Sequence, residues 1–157
     1  MTNRRQQGVT TVEFAIIGAV MLMVLFGVIE VGRAMFIMNA LGEATRRSAR
    51  IATVCPLNDP AIAQVGMFNA PGDSSRRIAS NLSQANFEIT YLDASGAVIA
   101  DPVANFDDIV FVRTRIVNFQ HQMLIPFGSY LFTTPSFTTT LRRESLGVPR
   151  DGVVQPC

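Results

Sequence analysis

Residues 8 to 31 read GVTTVEFAIIGAVMLMVLFGVIEV. This stretch is apolar enough to enter a bilayer, yet it carries Glu13 near its start and Glu30 near its end. Between the two acids, Phe14 to Ile29 holds neither a charge nor a proline. As a helix that run covers roughly 24 Å, against a hydrocarbon core of roughly 30 Å. A spanning helix therefore brings at least one carboxylate to the edge of the apolar slab. An acid there costs up to about 2.5–3.5 kcal/mol at mid-membrane and less toward the surface. Something must compensate each one.

Glu30 has a local answer. Arg33 lies three residues on, on the same helical face, and can pair with it at the outer interface. Glu13 has no comparable neighbour apart from Arg4 and Arg5 in the preceding segment MTNRRQQG. A secretory signal places basic residues before an apolar run of about 7–15 residues and a small-residue cleavage site after it. Here the run is longer and no such site comes after it, so two readings stay open. One is an uncleaved signal anchor, with Glu13 snorkelling into the headgroups. The other is a cut before the apolar run, after Gly8. That cut makes Val9 the first residue and sets its new amine four residues from Glu13, over the same face, in its own chain or in a shifted neighbour.

Gly, four residues, Glu and then an aromatic, at the head of an apolar helix, resembles the class III signal of type IV pilins. GVTTVEFAII is similar to the leader junction of Tad-type (Flp) pilus proteins. FGVIEVGRAMF, from Phe26 to Phe36, resembles the FG-x-x-E-x-GR block of TadE-like minor pilins. EATRRSARIAT, from Glu43 to Thr53, resembles the A-x-R-x-x-AR-x-A block that comes after it in that family. Many TadE-like helices carry proline shortly after the Glu, where this chain has Gly18-Ala19. The resemblance implies a prepilin peptidase cutting between Gly8 and Val9, with Glu13 and Phe14 setting register in an assembly. It also implies other pilins and minor pilins, membrane lipid and an inner-membrane assembly platform as partners. Arg33, Arg46, Arg47 and Arg50 outnumber Arg4 and Arg5, so counting positive charges leaves orientation open. The implied peptidase places the N-terminus in the cytoplasm and the C-terminal domain in the periplasm.

Beyond the membrane no proline intervenes before Pro56, so the helix is expected to run to about Val54. Ile37, Leu41, Ala44, Ser48 and Ala52 recur at helical spacing, and Glu43 can pair with Arg47. Arg46 and Arg50 read as a solvated face or as partners of Asp107-Asp108. Pro56 and Pro60 end the rod. Weak helices are expected over Ala61–Phe68 and Ser74–Ala85, where Ile78 and Leu82 share a face. The period then changes to two: Phe87, Ile89 and Tyr91 alternate, Asp93–Gly96 turns, and Ala97–Ala100 can return as a partner strand. Ile109–Phe119 reads as a strand with Val110, Val112, Thr114 and Ile116 inward and Arg113 and Arg115 outward. A final strand covers Phe137–Glu144. The expected fold is α+β and type IV pilin-like: a long N-terminal helix, transmembrane then periplasmic, packed on a small antiparallel sheet of three or four strands. The expected segments are a leader (1–8), a transmembrane helix (9–33), its extension (34–54) and a periplasmic domain (55–157).

A net charge of +1 gives no general attraction for nucleic acid. The chain has two cysteines, Cys55 and Cys157, on the far side of the membrane segment. They read as a disulfide in an oxidising compartment, with free thiols or intermolecular pairing as the alternatives. One histidine, His121, reads as a strand end or a surface residue. The sequence holds no Gly-rich phosphate loop, no G-x-S-x-G and no H-E-x-x-H. A structural protein without cofactor or metal is expected, and not an enzyme. Two alternatives stand beside the minor pilin or pseudopilin of a Tad/Flp pilus. One is a type II secretion pseudopilin. The other is an unprocessed single-pass membrane protein with a periplasmic ligand-binding domain.

Overall fold

The computed structural model describes residues 7–73, 75, 79, 81–125, 128–148, 153–154 and 156–157. Helix α1, Gln7–Ala52, is one unbroken α-helix that continues through Gly18-Ala19. At 1.5 Å per residue its 46 residues make a rod of roughly 69 Å. From Gly8 to Ile29 every residue is exposed except the half-buried Gly18. Burial begins at Glu30, and Ile37, Leu41, Ala44, Ser48 and Ala52 then form the inward stripe expected from their spacing. The exposed portion is 22 residues, roughly 33 Å, which is about the thickness of a hydrocarbon core.

The rod stops where its chemistry changes. Thr53 turns its hydroxyl back to the Arg50 carbonyl at 2.8 Å, and Cys55 N–H reaches the Ile51 carbonyl. Pro56 cannot donate, so the ladder ends. Helix α2, Pro60–Gly66, starts with proline in its first turn and is capped by Asp59, whose carboxylate accepts from Ala61 N–H at 2.8 Å. It lies close against α1 at Gly66. A Cβ there would stand 2.5 Å from the Phe87 ring and 3.0 Å from Ser48. Any larger residue must displace the Phe87 ring and crowd Ser48.

The main sheet has three antiparallel strands in the order β1–β2–β5: β1 Phe87–Leu92, β2 Phe111–Ile116 and β5 Phe137–Arg142. Val112, Thr114 and Ile116 face the upper half of α1 and are buried, while Arg115 opposite Glu88 faces outward. Arg113 and Arg115 lie against Thr140 and Ser136. One apolar cluster joins Ile37, Leu41 and Ala44 to Met67, Leu82, Ile116 and Phe119. A second joins Ala52 and Cys55 to Ile62, Tyr91, Ile109, Val112 and Leu146. A disulfide links Cys55 and Cys157, Cα atoms 5.7 Å apart and 102 residues apart in sequence. Beside it Gly147 (φ +78°) sits where a Cβ would meet Pro56 backbone at 2.7 Å. Only glycine fits that turn.

Several expectations need correction. Ala97–Ala100 is not a strand; Val98 makes a single bridge to Leu92, and the partner of β1 is β2. The strand expected over Ile109–Phe119 ends at Ile116, because Asn118 turns the chain with φ +54°. Beyond that turn lies a separate hairpin, β3 Gln120–Ile125 and β4 Gly128–Thr133, which the sequence pattern does not predict. In the Ser74–Ala85 helix, Ser74, Arg76, Arg77, Ile78 and Ser80 lie outside the described residues, and Gln84–Asn86 forms a 3-10 turn. Leu82 is buried as a core residue. Arg46 lies 3.9 Å from Glu43, and among the described residues no ion pair joins Arg46 or Arg50 to Asp107-Asp108.

Candidate functional site: the point where the helix leaves the head

Glu30 is the first buried residue of α1, 8% exposed, and its carboxylate is held from two sides. Within the helix, Arg33 Nε donates to Oε2 at 3.0 Å, and its second nitrogen reaches Oε1. Across from the helix, Leu124 N–H of β3 donates to Oε1 at 3.0 Å. The same guanidinium donates to the Gln122 carbonyl. The pair therefore closes two functions at once. It neutralises an acid at the end of the apolar run, and it supplies the donors and acceptors that the free edge of β3 lacks. Asn81 adds a third edge contact, its Nδ2 donating to the Gln120 carbonyl at 3.2 Å.

His121 sits under this clasp rather than at a surface or a strand end. It lies inside β3, is buried, and has Nε2 3.9 Å from Glu30 Oε1. Nε2 has no hydrogen-bond partner among the described residues. Burial and then the Arg33 charge push the imidazole below its usual range, and Glu30 opposes them without prevailing. The histidine is therefore held neutral as a packing residue. Arg33, Gln120, Gln122 and Asn81 line part of a cleft of about 380 Å³ beside it.

Glu13 is placed very differently. It projects from the exposed half of α1, as do Val9 and Phe14, and among the described residues it has no ion-pair partner. Arg4 and Arg5, the sequence's only local candidates, lie outside the described residues. Gly8 and Val9 belong to the first turn of α1, five and four residues before Glu13 and with open space around Gly8. Among the described residues no group of three or more His, Cys, Asp or Glu is arranged to hold a metal ion.

Sequence reasoning finds Glu30 and Arg33 from their spacing alone but misses Gln122 and Leu124, which approach from about 90 positions away. A usable signal is present. From Ile116 to Leu141 the chain has no Asp, Glu, Lys or Arg, a long uncharged run for a chain that is 16% charged.

These features define a class: a protein with one long apolar helix, suited to single-pass membrane anchoring, that carries a small α+β head. The family described as TadE-like protein matches residues 8–50. The match begins at Gly8 and ends two residues short of the end of α1, so the TadE-like part is the helix and the sheet lies outside it. No curated protein and no solved structure matches the chain.

Proposed function

We propose that this protein is a minor pilin or pseudopilin of a Tad/Flp-type pilus assembly system, working through its N-terminal helix rather than through catalysis. The observation that carries the reading is the exposure of Gly8–Ile29, a full membrane thickness of apolar helix with Glu13 projecting from it. Such a surface has two suitable environments, lipid before assembly and sister helices after it. The TadE-like match over that same helix favours a protein that uses both.

In this reading a prepilin peptidase acts from the cytoplasmic side and cuts between Gly8 and Val9. The Val9 amine then pairs with Glu13 of its own chain or of a neighbour shifted along the axis, and Phe14 packs beside it. Glu30 takes no part in that pairing, because Arg33 and Leu124 already hold it. The head stays in the periplasm and the inner-membrane platform receives the processed helix, for a pilus that serves attachment. The test is Glu13→Ala in cells carrying the whole system. Membrane insertion is expected to persist or improve while co-isolation with the other pilins is lost. Unchanged incorporation would remove Glu13 from the register role.

A further inference from the structure

We propose that the β3–β4 hairpin is a second membrane contact, a foot that rests in the lipid interface beside the point where α1 emerges. The inference depends on the reading that α1 crosses a bilayer.

The hairpin runs in the right direction. Gln122 meets Arg33 and Leu124 meets Glu30, so β3 descends along α1 as the helix numbering falls. One further residue, about 3.3 Å, brings the Ile125–Gly128 pair to about the height of Val28. That is inside the apolar run. The hairpin also has the right surface. Gln120–Thr133 holds no Asp, Glu, Lys or Arg, so nothing charged opposes entry. Leu124 (61% exposed) and Leu131 (65%) lie on one face of the ribbon, Tyr130 (64%) and Phe132 (43%) on the other. Exposed apolar residues on both faces need a surrounding medium; a single flat partner would cover only one.

Depth is set by hydrogen bonding. A two-stranded ribbon leaves edge N–H and C=O groups that hydrocarbon cannot satisfy, so it cannot cross the bilayer. Three groups on the β3 edge, the Gln120 and Gln122 carbonyls and the Leu124 amide, are met by Asn81, Arg33 and Glu30, all on the head side. Tyrosine is also enriched at the headgroup level. The foot is shallow, and it would fix the rotation and tilt of the head on the membrane.

The chain has no tryptophan, so single tryptophans report cleanly. The full-length protein is reconstituted in phosphatidylethanolamine–phosphatidylglycerol vesicles with and without lipids brominated high on the acyl chain. Leu131→Trp and Tyr130→Trp report the two hairpin faces, Leu22→Trp reports the span, and Val98→Trp reports the far turn of the head. Blue-shifted emission and bromine quenching at residues 22, 130 and 131, with none at 98, is the expected result. Quenching at 22 alone overturns the foot and leaves the anchor standing. No quenching at 22 removes the anchor and the foot with it. A blue shift at 131 without quenching that grows with protein-to-lipid ratio means a second copy covers the hairpin, and also overturns the proposal.

Discussion

The two halves of α1 belong to one continuous helix and meet opposite circumstances. Gly8–Ile29 and Glu30–Ala52 are both rich in apolar residues, and each begins near a glutamate. In the upper half the apolar residues recur every three or four positions, and Leu41, Ala44, Ser48 and Ala52 disappear under the sheet. In the lower half they cover all sides of the helix, so no single face can satisfy them. The acids differ in the same way. Glu30 is built into the fold by Arg33 and Leu124, whereas Glu13 is left to whatever surrounds the helix. Stability is thus concentrated above residue 30, and the lower half is a surface committed to an environment outside the chain.

The largest expected effect separates the halves by stability. Leu41→Ala should destabilise the head by about 2–5 kcal/mol, because it empties a filled core site, while Leu22→Ala should stay within about 0.5 kcal/mol. Denaturant unfolding in micelles, monitored by near-ultraviolet circular dichroism, measures both. Equal losses would merge the two regions. Cys157→Ser should cost about 2–4 kcal/mol through the released loop. The same unfolding assay, compared with reduced wild type, checks it.

Glu30→Ala is expected to cost about 1–3 kcal/mol, since it leaves the part-buried Leu124 amide and Arg33 short of a partner. Glu13→Ala should leave unfolding unchanged and act only on assembly. The contrast between the two glutamates is sharper than either result alone. The smallest effect is a pH dependence. His121 has a folded-state pKa lowered below the ordinary value by burial and by Arg33, so the unfolded chain binds its proton first. Its contribution is complete above about pH 6.5 and is lost as pH falls through the folded-state value. Thermal unfolding between pH 7.5 and 5.5 should show a steeper decline in wild type than in His121→Gln.

The legible parts of the molecule are those governed by local rules. The stripe from Ile37 to Ala52, the Glu30–Arg33 and Glu43–Arg47 pairs and the alternation in Phe87–Tyr91 are all set by neighbours within four residues. The helix end at Pro56 belongs with them. The β3–β4 hairpin was not legible, for two reasons. Gln120-His121-Gln122 hides an inward histidine between polar neighbours, so the apolar period is absent where the strand begins. And the break at Asn118 is a backbone choice that an uninterrupted valine-rich pattern does not announce. Half of the Glu30 clasp was legible, because Arg33 is three residues away. The other half came from Leu124, on an element whose position only the tertiary fold supplies.

We propose that the lower half of α1 is an assembly surface whose Glu13 awaits an amine at Val9. Intact mass of the protein purified from cells with an active prepilin peptidase tests it most directly. A chain beginning at Val9, and the full chain when the peptidase gene is deleted, is the result expected. Retention of residues 1–8 in the presence of the active peptidase would contradict it.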